Sequence, residues 1–129
     1  MTLRTLAIVS GVYDLLLGVP LLVAAPQVAA LFGAAAPVPV INAQLNGVFA
    51  SSLAAGYFWA ARDVEARRGY LWVAGVLAKL LGAALFLADH VLRGSPASFL
   101  LFAATDGMLG LVTLALLRRG SKGSAQLRR

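Results

Sequence analysis

The chain has no cysteine. Disulfides, thiolate metal sites, iron–sulfur clusters and thiol redox chemistry are therefore excluded, and any redox role needs a borrowed cofactor. Its one histidine, His90, stands beside Asp89, and one imidazole with one carboxylate is an incomplete metal site. Ser–His–Asp spacing, a glycine-rich phosphate loop and paired histidines are also missing, so hydrolase and nucleotide chemistry have no support. No catalytic residue, metal ligand or particular cofactor is indicated. Charge is scarce too: Asp, Glu, Lys and Arg make up only 12% of the 129 residues, against roughly a quarter in soluble domains.

What is abundant is apolar. Hydrophobic residues reach 60% and the mean hydropathy is +0.86. They fall in four blocks, Leu6 to Ala25, Val40 to Ala61, Tyr70 to Ala88 and Ala97 to Leu117. Each is about the ~20 residues a helix needs to cross ~30 Å of hydrocarbon. The first block carries Asp14 and is longer than the apolar region of a signal peptide, so it is expected to be retained. Short connections near Arg62 to Gly69 and Asp89 to Pro96 make sequential helices antiparallel. The expected fold is all-α, an integral membrane four-helix bundle in up-down-up-down order over residues 1–119. A basic, flexible tail is expected over 120–129. Pro39 and Pro96 occupy first-turn positions, Ser95 is a candidate cap for the fourth helix, and Pro20 is a candidate kink in the first. Pro26, Gln27, Leu31 and Phe32 before Gly33 suggest a short helical piece at the outer interface in the first connection, with a plain linker carrying an apolar anchor as the alternative.

The net charge of +6 first suggests nucleic acid, but its placement points to membrane topology instead. Nine of the 11 basic residues fall on one side of the four blocks: Arg4; Arg62, Arg67 and Arg68; and Arg118, Arg119, Lys122, Arg128 and Arg129. Arg93 alone falls on the other. Loops rich in Lys and Arg stay cytoplasmic, so both termini are expected inside, with no nucleic-acid partner. Tyr57, Trp59, Tyr70 and Trp72 fall near the cytoplasmic ends of the second and third helices, where interfacial rings settle.

The informative residues are those a bilayer disfavours. At 1.5 Å per residue, Asp14 and Lys79 lie about 12 and 14 Å in from the cytoplasmic side, and Asp106 about 14 Å in from the other. Each costs on the order of 3 kcal/mol at that depth unless it faces the interior and finds a partner. Glycines accompany all three, Gly11 and Gly18, Gly75 and Gly82, Gly107 and Gly110, the small-residue stripes that let membrane helices approach. On the second helix Asn42, Asn46, Ala50 and Gly56 mark a comparable stripe. The candidate ligand or proton site is thus Asp14, Asn46, Lys79 and Asp106, with Tyr13, Asn42 and Thr105 secondary. Internal hydrogen-bonding glue that fixes helix register is the competing account of the same residues.

Along Tyr13-Asp14 to Gly18, Asn46-Gly47, Lys79 to Gly82 and Asp106-Gly107, over most of its length, the chain resembles the small four-helix bacterial membrane proteins of the DoxX-like kind. That resemblance implies a four-helix bundle in a bacterial cytoplasmic (inner) membrane. For some relatives it implies an accessory role beside respiratory or quinone-linked enzymes. The function expected is non-enzymatic: binding a small polar, protonated or quinone-like ligand in the core, or serving as a subunit beside other membrane proteins. The alternative is a proton-coupled small-molecule transporter working as a homo-oligomer. Two carboxylates and one ammonium leave the core one negative charge in excess, and an uncompensated buried charge is costly, so a proton or a cationic ligand is expected to balance it. Infrared titration of the carboxyl bands checks this; both acids ionised in an empty, dry core overturns it.

Overall fold

The computed structural model describes the backbone of residues 1–126 and the side chains of residues 1–119. The side chains of the tail expected over 120–129, Lys122, Arg128 and Arg129 among them, lie outside the described residues. The described chain is helical, with four helices: α1 (Leu3–Leu31), α2 (Val40–Ala60), α3 (Arg68–Arg93) and α4 (Leu100–Gln126), the last entered through a 3-10 turn at Ala97–Phe99. Three stretches, Leu3–Leu31, Arg68–Arg93 and Ala97–Arg119, are long and apolar enough to cross a membrane. The four spans expected from sequence become three on that measure. α2 has the length but falls short in apolarity, because Asn42, Gln44, Asn46, Ser51 and Ser52 dilute it.

Local chemistry explains the ends and breaks. Thr2 caps α1 by accepting a bond from the Thr5 amide at 3.1 Å. Gly33 and Gly94, at φ +69° and +68°, take the left-handed conformation just past α1 and α3 that only glycine enters freely. Ser95 is not a cap: its Oγ is buried without a partner among the described residues, and its carbonyl pairs with His90 Nδ1 at 2.7 Å. The kink in α1 falls at Ala24 (φ −145°, ψ 38°), later than Pro20. Pro26 has no N–H to give the carbonyl of Leu22 four residues back, so the helix breaks there and restarts as the short piece expected before Gly33. Gln44 on α2 supplies the missing donor, reaching Leu22 O with Nε2 at 3.2 Å.

α1 packs along α2, and α3 along α4. Gly18 and Gly47 bring the first pair into backbone contact: a Cβ on Gly47 would stand 2.7 Å from Gly18 O and 2.8 Å from Leu22 N. Gly11 lies against Phe58, so numbering falls along α2 as it rises along α1. In the second pair Gly75 faces Thr113 and Gly110 faces Leu80 and Lys79. The contact stripe of α2 is therefore Gly47, Ser51, Ala54 and Phe58, one position round from the stripe expected through Asn42, Asn46 and Ala50. Asn42 is exposed as a result.

Packing is uneven along the molecule. One end is closed by Ala7, Tyr57, Ala60, Ala61, Leu71, Ala74, Val76 and Leu117, the four alanines letting the helices converge. Tyr57, expected at an interface, is 1% exposed in this core, edge-on to Tyr70 at 5.4 Å. Arg68 ties the same end by donating to Leu117 O at 2.7 Å. Towards the other end α2 diverges from α3, and a cavity takes the place of a core. Gly47→Ala is expected to lower stability by about 1–3 kcal/mol, the range for overpacking, because the added methyl meets backbone that cannot step aside. Gly69→Ala, with nothing within 4 Å of its Cβ, is the control in thermal unfolding of the detergent-solubilised protein.

Candidate functional site

The three ionisable residues expected in the core do meet. Asp14 from α1 and Asp106 from α4 each accept a bond from the Lys79 ammonium of α3, Asp14 through Oδ1 at very short range and Asp106 through Oδ1 at 3.0 Å. Their side chains are 5%, 15% and 6% exposed respectively, so the charges are shared in a largely dry setting. In such a setting ionic groups are worth having only when mutually paired. Lys79 also lies 4.6 Å from the centre of the Tyr13 ring, within cation–π range.

How the helices deliver these groups follows from their local structure. Gly82 leaves room for Asp106: a Cβ there would sit 3.3 Å from Asp106 Oδ2. Leu71–Ala78, immediately before Lys79, is π-helical, a wider winding that shifts the phase of the faces that follow. Tyr13 and Thr105, each beside one of the acids, bond each other at 2.7 Å. Thr105 Oγ1 donates to Leu101 O at 2.8 Å within its own helix, which leaves Tyr13 as donor in the shared bond.

Two adjoining cavities flank the cluster. The outer one, about 380 Å³, is walled by Leu17, Leu21, Ala25, Val28, Phe32, Ala43, Phe86, Phe99 and Phe102, with Tyr13, Asn46 and Asp106 at its inner end. The inner one, about 440 Å³, runs between α2 and α3 past Phe49, Ala50, Leu53, Ala74, Ala78 and Gly82, and touches Asp14, Lys79 and Asp106. They share Tyr13, Leu17, Leu21, Asn46, Phe86 and Asp106, so they form one cleft. Phe49, 63% exposed, marks its lateral edge. Asn46 thus joins the site as a wall residue, whereas Asn42 lines neither cavity.

Sequence reasoning missed the phenylalanines. Phe32, Phe86, Phe99 and Phe102 lie within 4.7–6.1 Å of one another in successive pairs, and Ser98 Oγ bonds Phe32 O beside them. The one available signal is that Phe86 stands near the end of the third block, Phe99 and Phe102 near the start of the fourth, and Phe32 in the first connection, all on one side. Among the described residues no group of three His, Cys, Asp or Glu is arranged to hold a metal ion. No protein-family model, curated protein or solved structure matches the chain.

Lys79→Met is expected to destabilise by roughly 3–5 kcal/mol, because it leaves two buried carboxylates facing each other without their cation. Thermal unfolding measures the loss. Combining it with Asp14→Asn and Asp106→Asn is expected to restore most of the stability, since the whole charge set is then neutral.

Proposed function

We propose that this chain is a non-enzymatic integral membrane protein whose four helices all cross the bilayer in up-down-up-down order, with both termini cytoplasmic, and that it binds a small ligand in its core. One observation carries the reading: the charged cluster does not sit in a sealed core but borders a cleft of ligand size. Pockets for small molecules run to about 300–1,000 Å³, mostly apolar with a few converging polar groups, and this cleft has that make-up. Glue that only fixes helix register needs no empty volume beside it. The polar content of α2 is consistent with its crossing as well, since Gln44 is spent on Leu22 O and Asn46, though exposed, lines the cleft.

Native mass spectrometry of the protein released from mild detergent tests the binding. A small molecule near stoichiometric level is expected on the wild type and absent from Ala43→Trp, which fills the outer cavity without touching the charges. Equal small-molecule content in the two overturns the proposal. For the topology, green fluorescent protein fused after Arg129 is expected to fluoresce, and alkaline phosphatase fused at Gly33 or Gly94 to be active. The opposite pattern reverses the orientation.

A further inference from the structure

The cleft carries more information about its ligand than its size. Its strongest donors are already engaged. The Lys79 ammonium gives two of its three N–H groups to the carboxylates, and the Tyr13 hydroxyl donates to Thr105. Its acceptors are not. Asp14, 3% exposed, has an Oδ2 that is buried with no hydrogen-bond partner among the described residues, and Asp14 lines the inner cavity. Asp106 gives Lys79 only Oδ1 and turns Oδ2 toward Gly82, at the junction of the two cavities. A buried carboxylate oxygen without a donor is among the costliest features a protein can hold, so the site is completed by something that donates. Two carboxylates against one ammonium also leave the cleft anionic.

We propose that the cleft takes a lipophilic organic ammonium ion, its N–H groups on the free oxygen of Asp106, beside the buried Asp14, and its apolar body among Phe32, Phe86, Phe99 and Phe102. This rests on the reading that the cleft binds a ligand, and it names the class. A quinone fits worse. Its carbonyls only accept, and they would meet two carboxylates with the Asn46 amide and one remaining Lys79 N–H as the side-chain donors not already engaged among the polar groups of the cleft. A bare metal ion leaves the aromatic end unused. An ammonium ion uses both ends of the cleft, balancing charge at the inner end and meeting, at the outer end, aromatic faces that attract both hydrocarbon and cation. The lateral edge at Phe49 opens between α2 and α3 rather than at a helix end, so an amphiphile enters from the bilayer, where its apolar body is already dissolved.

Three probes with one ring system separate the possibilities: 1-naphthylmethylammonium, 1-naphthylmethanol and 1,4-naphthoquinone. Binding to the full chain in detergent is read by isothermal titration calorimetry at pH 7, with empty micelles subtracted. The ammonium is expected to bind at least tenfold tighter than either neutral probe. Asp106→Asn, which keeps the Lys79–Asp14 pair, is expected to weaken the ammonium at least tenfold and the neutral probes by less than threefold. Ala43→Trp is expected to weaken all three. If the quinone or the alcohol binds as tightly as the ammonium, and Ala43→Trp weakens it, the cation assignment falls while ligand binding in the cleft stands. If no probe binds above the micelle background, both fall. Should Asp106→Asn fail to fold, Asn46→Asp replaces it. Its added carboxylate at the cleft wall is expected to tighten the ammonium alone, and no such gain overturns the assignment.

Discussion

Lys79 is claimed by two carboxylates that arrive on different helices, and each of the three groups is expensive to bury alone. That shared ammonium fixes α1, α3 and α4 against one another. Removing Lys79 leaves two carboxylates that the surroundings cannot solvate, whereas removing one acid leaves the lysine a single partner. α2 contributes no charge to this arrangement. It is held through α1, where Gly18 and Gly47 let the two backbones touch, and it meets α3 chiefly along the first part of that helix. The cleft lies on the side that the ion cluster does not tie, and its position is a consequence of which helices share the lysine.

The two ends of the molecule are built from different residues for the same reason. Where all four helices converge, the contacts are made by alanines around Tyr57, Leu71 and Leu117, and close approach is possible. Where α2 diverges, large rings line the space instead, and Phe32, Phe86, Phe99 and Phe102 form a wall rather than a plug. A polar cluster at the boundary between a dense half and a hollow half has one side supported by packing and the other facing open volume. This division lets a set of charges be both structurally anchored and available.

Much of this was legible in the sequence. Depth arithmetic and the cost of buried charge were enough to bring Asp14, Lys79 and Asp106 together, because both arguments depend only on helix rise and on the lack of alternatives. The face of α2 was not legible. Its glycines, alanines and asparagines are too evenly spread for periodicity to choose between Gly47–Ser51–Ala54 and the stripe one position away, and the choice is made by where Gly18 lies on the opposing helix. The π-helical winding before Lys79 has no signature in its run of apolar residues, yet it sets the face on which the lysine emerges. The bond between Tyr13 and Thr105 spans two helices, and neither helix's own pattern joins them. The cleft was invisible because a void depends on how far two helices diverge, a quantity no local pattern encodes.

The bond from Gln44 to the carbonyl of Leu22 joins two residues that have no reason to be associated when each is read in its own helix. Pro26 creates a vacancy in α1 and Gln44 fills it from α2, so the pair is a single device divided between two places in the gene. Its two halves are not independent in inheritance. A chain with an N–H at position 26 has no use for an amide at 44 and is free to become more hydrophobic there, while one that keeps the proline is bound to keep a donor within reach. Co-variation of positions 26 and 44, rather than invariance of either, is the trace this contact would leave among descendants of a common ancestor.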